Sequence, residues 1–203
     1  MTVFRFLLGF SFGLSSSFAH AHLSSGGMSD FYVGVLHTVE SLQSLLTLLV
    51  LGLFLSQQAA QQGLTRINRS IFLFFVTIII GVFIFTGGTH FSSIVLVNLT
   101  AIIVLGILVA FAKKLPVLVV YLVTLPMGLI HGYVIGTAID PGRSIMLYAI
   151  GVGLVSFFSI LFVCVLTDRA VLSERVWPPI IIRVLGSWLA AIGIMMTAFL
   201  LRL

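Results

Sequence analysis

The chain has 203 residues, of which 60% are hydrophobic and 7% are charged, and its formal net charge is +5. A soluble domain of this length needs several times more charge to cover its surface, so the composition predicts an integral membrane protein. The ten basic residues are scattered in short segments and form no stripe, which argues against nucleic acid as a partner. A single cysteine, Cys164, excludes an internal disulfide and a metal site built on paired thiolates.

The amino-terminal segment, residues 1–21, has the layout of a secretory signal peptide. One cation, Arg5, precedes a short apolar stretch, and small residues end in an A-x-A sequence. Cleavage after Ala21 would leave His22 as the amino terminus of a single mature domain, residues 22–203. The alternative interpretation is an uncleaved helix, which would add a seventh membrane span.

Six further segments are long and apolar enough to cross about 30 Å of hydrocarbon as helices, which takes roughly 20 residues each. Continuous apolar runs predict helices, whereas the strands of a membrane barrel would alternate over about ten residues. The predicted fold is therefore an all-α, polytopic membrane helix bundle with six transmembrane helices joined by short connectors. The predicted spans are residues 31–56, 71–86, 93–112, 117–138, 145–167 and 180–201.

The cations of the connectors predict the orientation of this bundle. They fall mainly in the first, third and fifth connectors, whereas the second connector has none and the fourth has Arg143 alone. Cytoplasmic loops carry the excess of Lys and Arg, so the mature amino terminus and the carboxyl terminus are both predicted to face outside. The cations in or directly beside the three predicted cytoplasmic connectors are Arg66, Arg69, Lys113, Lys114, Arg169, Arg175 and Arg183.

That orientation gathers histidines toward the outer side of the membrane. His37 and Glu40 lie near the outer start of the first predicted span, and their spacing puts them on one helix face with Ser41 and Ser44. Ionisable groups inside a membrane are costly and usually have a functional role, so the pair is a candidate metal or proton site. The alternative is that Glu40 lies in the membrane interface and His37 caps or bonds it. The possible additional ligands in outward-facing segments are His22 and His90.

The segment GLIHGYVIGTAI, residues 128–139, places His131 in the outer half of the fourth predicted span. Gly128, Gly132 and Gly136 form a small-residue strip that lets another helix approach closely. The strip predicts that His131 faces the bundle interior, within reach of the first span. The segment leaves open whether this histidine is a ligand or a hydrogen-bonding packing residue. The neutral side chains that could bond to it are Asn98, Thr100 and Thr124.

Three stretches of the chain are similar to a known family: VLGILVAFAKKLPVLVVYLVTLPMGLIHGYVIGTAI, YAIGVGL and RVLGSWLAAIGI. On these residues the chain resembles the HupE/UreJ family of small six-helix membrane proteins, from AHAH at residues 19–22 to the end. The family is associated with nickel or cobalt uptake for hydrogenase and urease. The resemblance implies a multi-pass protein of the bacterial inner membrane.

The family carries a first-helix motif of the form HPxxGxDH and a fourth-helix motif of the form FHGxAHGxE, whose histidines and carboxylates suit a divalent ion. His37 matches the leading histidine of the first motif, and His131, Gly132 and Gly136 match the second. Glu40, one turn from His37, could compensate for a missing ligand. The ligand positions of the two motifs that differ in this chain are occupied by Gln43, Ser44, Ile135 and Ala138.

Two hypotheses follow. The first is a divergent permease that admits a divalent transition metal from outside through His37, Glu40 and His131, since Ni²⁺ and Co²⁺ accept nitrogen and carboxylate ligands. The second is a non-transporting accessory subunit or assembly factor of a larger membrane complex that keeps this fold. Expected partners are the lipid bilayer and membrane-complex subunits, and no resident cofactor is predicted. The sequence has no Ser-His-Asp set, paired catalytic carboxylates or phosphate loop, so no enzymatic activity is expected.

Overall fold

The computed structural model describes residues 28–62, 64–85, 93–171 and 174–202, and within these ranges the chain forms seven helices. The predicted signal peptide and the possible ligands His22 and His90 lie outside the described residues. The helices are α1 Asp30–Glu40, α2 Leu42–Gln62, α3 Leu64–Phe85, α4 Ile94–Phe111, α5 Val117–Gly136, α6 Ile145–Val171 and α7 Trp177–Leu200.

Five of these helices, α2 and α4 to α7, are long and apolar enough to cross a membrane, and α3 contains a shorter apolar stretch, Asn68–Ile84. Helices suit the hydrocarbon interior of a membrane because each helix pairs its own backbone N–H and C=O groups, for which hydrocarbon offers no partner. The outer surface of the bundle is itself apolar, with large side chains such as Phe162 and Trp188 mostly exposed. The predicted all-α, polytopic membrane bundle is confirmed, and its surface fits contact with lipid.

The first predicted span is wrong as a single helix. The chain breaks at Ser41, whose backbone is extended at φ −78 and ψ 110, and this residue separates α1 from α2. The predicted common face of Glu40 and Ser44 is lost, because a shared face requires a continuous helix. Beyond the break α2 runs on to Gln62, so the sequence QQAAQQ, predicted as connector, forms the last turns of that helix.

The α2 helix is the centre of the bundle. It contacts every other described helix. In its most apolar stretch 78% of the residues are buried, against 28–44% in the corresponding stretches of the other four long spans. Because its surroundings are protein and not lipid, α2 can carry polar side chains at depths where a lipid-facing helix could not. Its buried polar residues are Ser44, Thr47, Ser56, Gln57 and Gln58.

Glycines bring three pairs of helices into backbone contact around α2: α3 with α5, α4 with α7, and α1 with α6. At each crossing a Cβ on the glycine would collide with atoms of the facing helix. Gly132 faces the carbonyl of Ile78, and Gly34 faces the carbonyl of Tyr148. The glycines are Gly81, Gly128 and Gly132 where α3 meets α5, Gly106 and Gly186 where α4 meets α7, and Gly34 and Gly151 where α1 meets α6.

One end of the bundle is closed by the glutamines of α2. Gln58 donates from Nε2 to the carbonyl of Lys113 at 2.9 Å and accepts from the N–H of Leu115 at 3.1 Å. These contacts satisfy backbone groups that the end of α4 and its left-handed residue Ala112 would otherwise leave unpaired. The other glutamine amides donate to carbonyls of the same segment: Gln57 to Val109 at 3.1 Å, Gln61 to Ala112 at 3.2 Å and Gln62 to Leu115 at 2.8 Å.

The opposite end is closed by an ion pair. Arg143 contacts the carboxylate of Asp30 at 2.8 Å and that of Asp140 at 3.3 Å, and Asp30 also accepts from the backbone N–H of Ser144 at 2.9 Å. The hydrogen bond from Ser144, followed by that from Arg143, holds the pKa of Asp30 below its usual value. We call this the acidic end, and we call the end that holds Lys113, Lys114 and Arg183 the basic end.

Candidate metal-binding residues

His131 lies in α5 and is completely buried. Its ring stacks on that of Phe74 in α3, with 6.2 Å between the ring centroids and 28° between the planes. Within the described residues neither Nδ1 nor Nε2 has a hydrogen-bond partner. An unpaired polar group in an apolar interior costs free energy. The ring therefore offers two unused nitrogen atoms inside the bundle.

The crossing of α3 and α5 explains why a ring of this size is fully enclosed. Gly128 and Gly132 flank His131 along α5, and each lies against the backbone or Thr77 of α3. The close approach of the two helices places the ring of Phe74 beside the imidazole. The small-residue strip thus holds the histidine at the seam between the two helices.

The neutral side chains considered as partners of His131 bond elsewhere or are exposed. Asn98 donates from Nδ2 to the hydroxyl of Thr47 at 3.3 Å, and Thr124 donates to the carbonyl of Val120 at 2.7 Å. Thr100 lies on the exposed face of α4, where it bonds to the preceding turn. The hydroxyls of Thr100 and Thr124 donate within their own helices, and the amide of Asn98 donates to α2. None of these hydrogen bonds is made to the imidazole.

His37 lies in the last turn of α1 and packs edge-on against Tyr148 of α6, with ring centroids 5.9 Å apart. The hydroxyl of Tyr148 donates to the carbonyl of Ile135 at 2.8 Å. Ile135 is one helical turn from His131 in α5. Tyr148 therefore connects the helices that carry the two histidines. Nothing in the sequence pattern marks this tyrosine, so the link could not be predicted.

Glu40 is the last residue of α1 and is exposed. In the part of the chain that the structure describes, no three His, Cys, Asp or Glu side chains lie together in a group that could hold a metal ion. The structure therefore links the helices of His37 and His131 through Tyr148 of α6, and it does not assemble the two histidines with Glu40. Their role as ligands stays a prediction.

The replaced motif positions differ in burial. Ser44 and Ile135 are buried, whereas Ala138 is exposed beyond the end of α5. Gln43 lines a cavity of about 350 Å³ between α2, α4 and α7 near the acidic end, together with Met195 and other apolar residues. Only a neutral amide therefore stands at that motif position, which lacks the charge that an aspartate would bring.

Several buried polar atoms have no hydrogen-bond partner among the described residues, and three of these residues, Ser56, Gln57 and Ser156, were not identified from the sequence. Toward the acidic end, Gln43 Nε2 and Asn98 Oδ1 are buried and have no partner in the part of the chain that the structure describes. The same is true, within the described ranges, of Ser156 Oγ further along α6 and of Ser56 Oγ and Gln57 Oε1 toward the basic end. Such groups are costly in hydrocarbon and mark substrate or ion pathways in membrane proteins. A polar residue within a strongly apolar segment is the sequence signal that could have found them.

Neither a curated protein nor a solved structure matches this chain. The family model described as HupE / UreJ protein matches residues 10–196, which is most of its length. The match agrees with the polytopic bundle of apolar helices and with the resemblance seen in the sequence. The chain belongs to the HupE/UreJ family, membrane proteins associated with nickel and cobalt uptake.

Proposed function

We propose that the protein is a permease that admits a divalent transition metal, nickel or cobalt, from the outer face of the bacterial inner membrane. The observation that carries this proposal is His131, buried in a membrane helix with both ring nitrogens unpartnered among the described residues. Leaving a buried polar group unpaired costs about 1–3 kcal/mol. Binding to a passing metal ion would offset that cost, because neutral imidazole is a good ligand for these ions.

The distribution of the other unpartnered atoms supports a pathway along α2. At about 1.5 Å per residue, His131 lies about 7 Å from the acidic end of α5, and Ser156 lies about 16 Å into α6. Gln43 is near the start of α2, and Ser56 and Gln57 are near its other end. Polar groups thus occur at successive depths beside the central helix, as conduction of an ion through several weak sites requires.

The position of α1 supports arrival of the ion from the acidic end. Asp30 bonds to Ser144, and Gly151 packs against Phe31, so α1 crosses the first turns of α6. His37 and Glu40 therefore lie near the predicted outer surface. We assign them to the first contact with the incoming ion and His131 to the next.

Accumulation of nickel and cobalt by cells that express the protein tests this proposal. We expect His131→Ala and His37→Ala each to abolish accumulation at unchanged protein level. Thr137→Ala, at an exposed hydroxyl beyond the end of the same helix, serves as the matched control and should transport normally. Normal accumulation in both histidine variants would rule out the assigned pathway.

A second candidate function is that of a non-transporting accessory subunit of a larger membrane complex. The observation that favours it is the lack, within the described ranges, of three grouped metal-binding side chains, together with the replacement of four motif ligands. In that case the histidine variants should lower protein stability or partner retention and should have no effect on metal accumulation. Neither candidate assigns a catalysed reaction to the chain.

A further inference from the structure

A cavity of about 480 Å³ opens between α3 and α5 at the basic end, away from the histidines. It is lined by Asn68, Arg69, Phe72, Leu73 and Tyr121. It differs from the cavity of about 440 Å³ between α4 and α5, which is lined by apolar residues, Ser93 and Thr100 and by no charged side chain. The guanidinium of Arg69 therefore gives the first cavity a positive charge that the second cavity lacks.

The mouth of this cavity is polar and positively charged. Arg69 and Asn68 are exposed at the start of the apolar stretch Asn68–Ile84, where a membrane helix leaves the headgroup layer. Within the described ranges Arg69 has no carboxylate partner, and no acidic side chain lines the cavity. Lys113 and Lys114 add positive charge to the same end of the bundle. The field at the mouth therefore favours an anion.

The wall of the cavity becomes apolar with depth. Phe72 lies one turn beyond Arg69, about 4.5 Å deeper along α3. Phe72 is 58% exposed, and Leu73 lies beside it in the wall of the cavity. Tyr121 faces them from α5 and has an apolar ring with a hydroxyl at its tip. The order from guanidinium to phenol to aromatic and aliphatic surface is the order of a phosphate, an ester and an acyl chain in a lipid.

We propose that this cavity binds an anionic phospholipid of the leaflet at the basic end. The guanidinium of Arg69 pairs with the phosphate, since its planar fork donates two parallel hydrogen bonds to two phosphate oxygens. Asn68 and Tyr121 donate to the remaining headgroup or ester oxygens, and Phe72 and Leu73 contact the first acyl carbons. The inference concerns a site separate from the metal pathway and does not depend on which ion is carried.

Native mass spectrometry of the full chain in detergent tests the proposal, with phosphatidylglycerol and phosphatidylcholine of identical acyl chains added in turn. We expect the wild type to retain phosphatidylglycerol preferentially. Arg69→Gln should weaken this retention about tenfold, the effect of losing a charge-assisted hydrogen bond. Tyr121→Phe should weaken it a few-fold. Arg202→Gln removes an exposed cation at the acidic end and should leave retention unchanged.

Arg69→Lys keeps the positive charge but cannot donate two parallel hydrogen bonds to the phosphate. Its retention of phosphatidylglycerol should therefore lie between that of the wild type and that of Arg69→Gln. This variant decides the matter if Arg69→Gln fails to fold. Equal retention of the two lipids by the wild type would overturn the proposal, as would undiminished retention of phosphatidylglycerol by both Arg69 variants. Displacement of the lipid by millimolar inorganic phosphate would also contradict it, because the site would then recognise the phosphate alone.

Discussion

Single residues decide how closely the helices of this bundle approach. Gly132 has no Cβ, so the backbone of α5 meets the carbonyl of Ile78 in α3, and His131 beside it is enclosed against Phe74. The glycine spacing in GLIHGYVIGTAI is enough to predict a tight crossing and a buried histidine. It is not enough to identify Phe74 as the stacking partner, because the facing of α3 depends on the packing of the whole bundle.

A methyl group at Gly132 should therefore separate α3 from α5. We expect Gly132→Ala to destabilise the protein by about 1–3 kcal/mol, the usual cost of overpacking a tight interior. The measurement is equilibrium unfolding of the purified protein in detergent. Leu122→Ala, a change at an exposed position of the same helix, should have a much smaller effect. Equal stability of Gly132→Ala and the wild type would show that the crossing can widen freely.

Asp30 makes the acidic end sensitive to pH. Its pKa is lowered by the backbone hydrogen bond from Ser144 and by Arg143, so the contribution to stability is complete above the ordinary value of about 4. That contribution is lost as the pH falls through the lower pKa of the folded state. We expect the melting temperature of the wild type to fall more steeply below about pH 4 than that of Asp30→Asn.

Asp168→Asn is the control, because its carboxyl lies near the other end of α6. It should keep the slope of the wild type. The assignment to Asp30 fails if Asp30→Asn melts with that same slope.

At the scale of the helices, hydropathy locates the spans and misses their interruptions. The run from residue 31 to residue 56 is long and mostly apolar, and its polar residues around Glu40 do not by themselves show that the backbone becomes extended at Ser41. The sequence QQAAQQ is polar, and its composition therefore predicts a connector. Its glutamines instead extend α2, because the end of α4 supplies carbonyls for their amides. Both errors arise from tertiary contacts, which a local pattern does not contain.

The pairing of Gln58 can be tested at a single amide. Gln58 Oε1 accepts from the N–H of Leu115, so Gln58→Leu should accelerate hydrogen exchange at that N–H. Gln61→Leu is the matched control, since Gln61 donates to Ala112 and does not contact the amide of Leu115 in these bonds. Unchanged exchange at Leu115 in the Gln58 variant would contradict the structure of this end.

On the scale of the whole molecule, the bundle has two differently closed ends around one central helix. Neutral glutamine amides and several cations mark the basic end, and the Asp30–Arg143 pair marks the acidic end. The excess of Lys and Arg predicts that the basic end faces the cytoplasm. The fold class follows from composition and span lengths alone, whereas the central place of α2 could not be deduced, because it depends on how the other helices pack around it.

Cysteine labelling can test this orientation, because Cys164 is the single cysteine of the chain. In a Cys164→Ala background we expect an impermeant maleimide to label Arg202→Cys on intact cells. Lys113→Cys should react only after the membrane is permeabilised. The reverse pattern would place the histidines on the cytoplasmic side and would exclude uptake from outside through them.

Metal flux into vesicles tests the permease proposal most directly, because it needs no other protein. We expect liposomes that contain the purified protein and an internal metal-sensitive dye to admit Ni²⁺ or Co²⁺ faster than empty liposomes. His131→Ala should reduce the flux to the empty-liposome rate, and Thr137→Ala should not. Equal flux with the wild type, with His131→Ala and without protein would contradict transport by this chain and favour the accessory subunit.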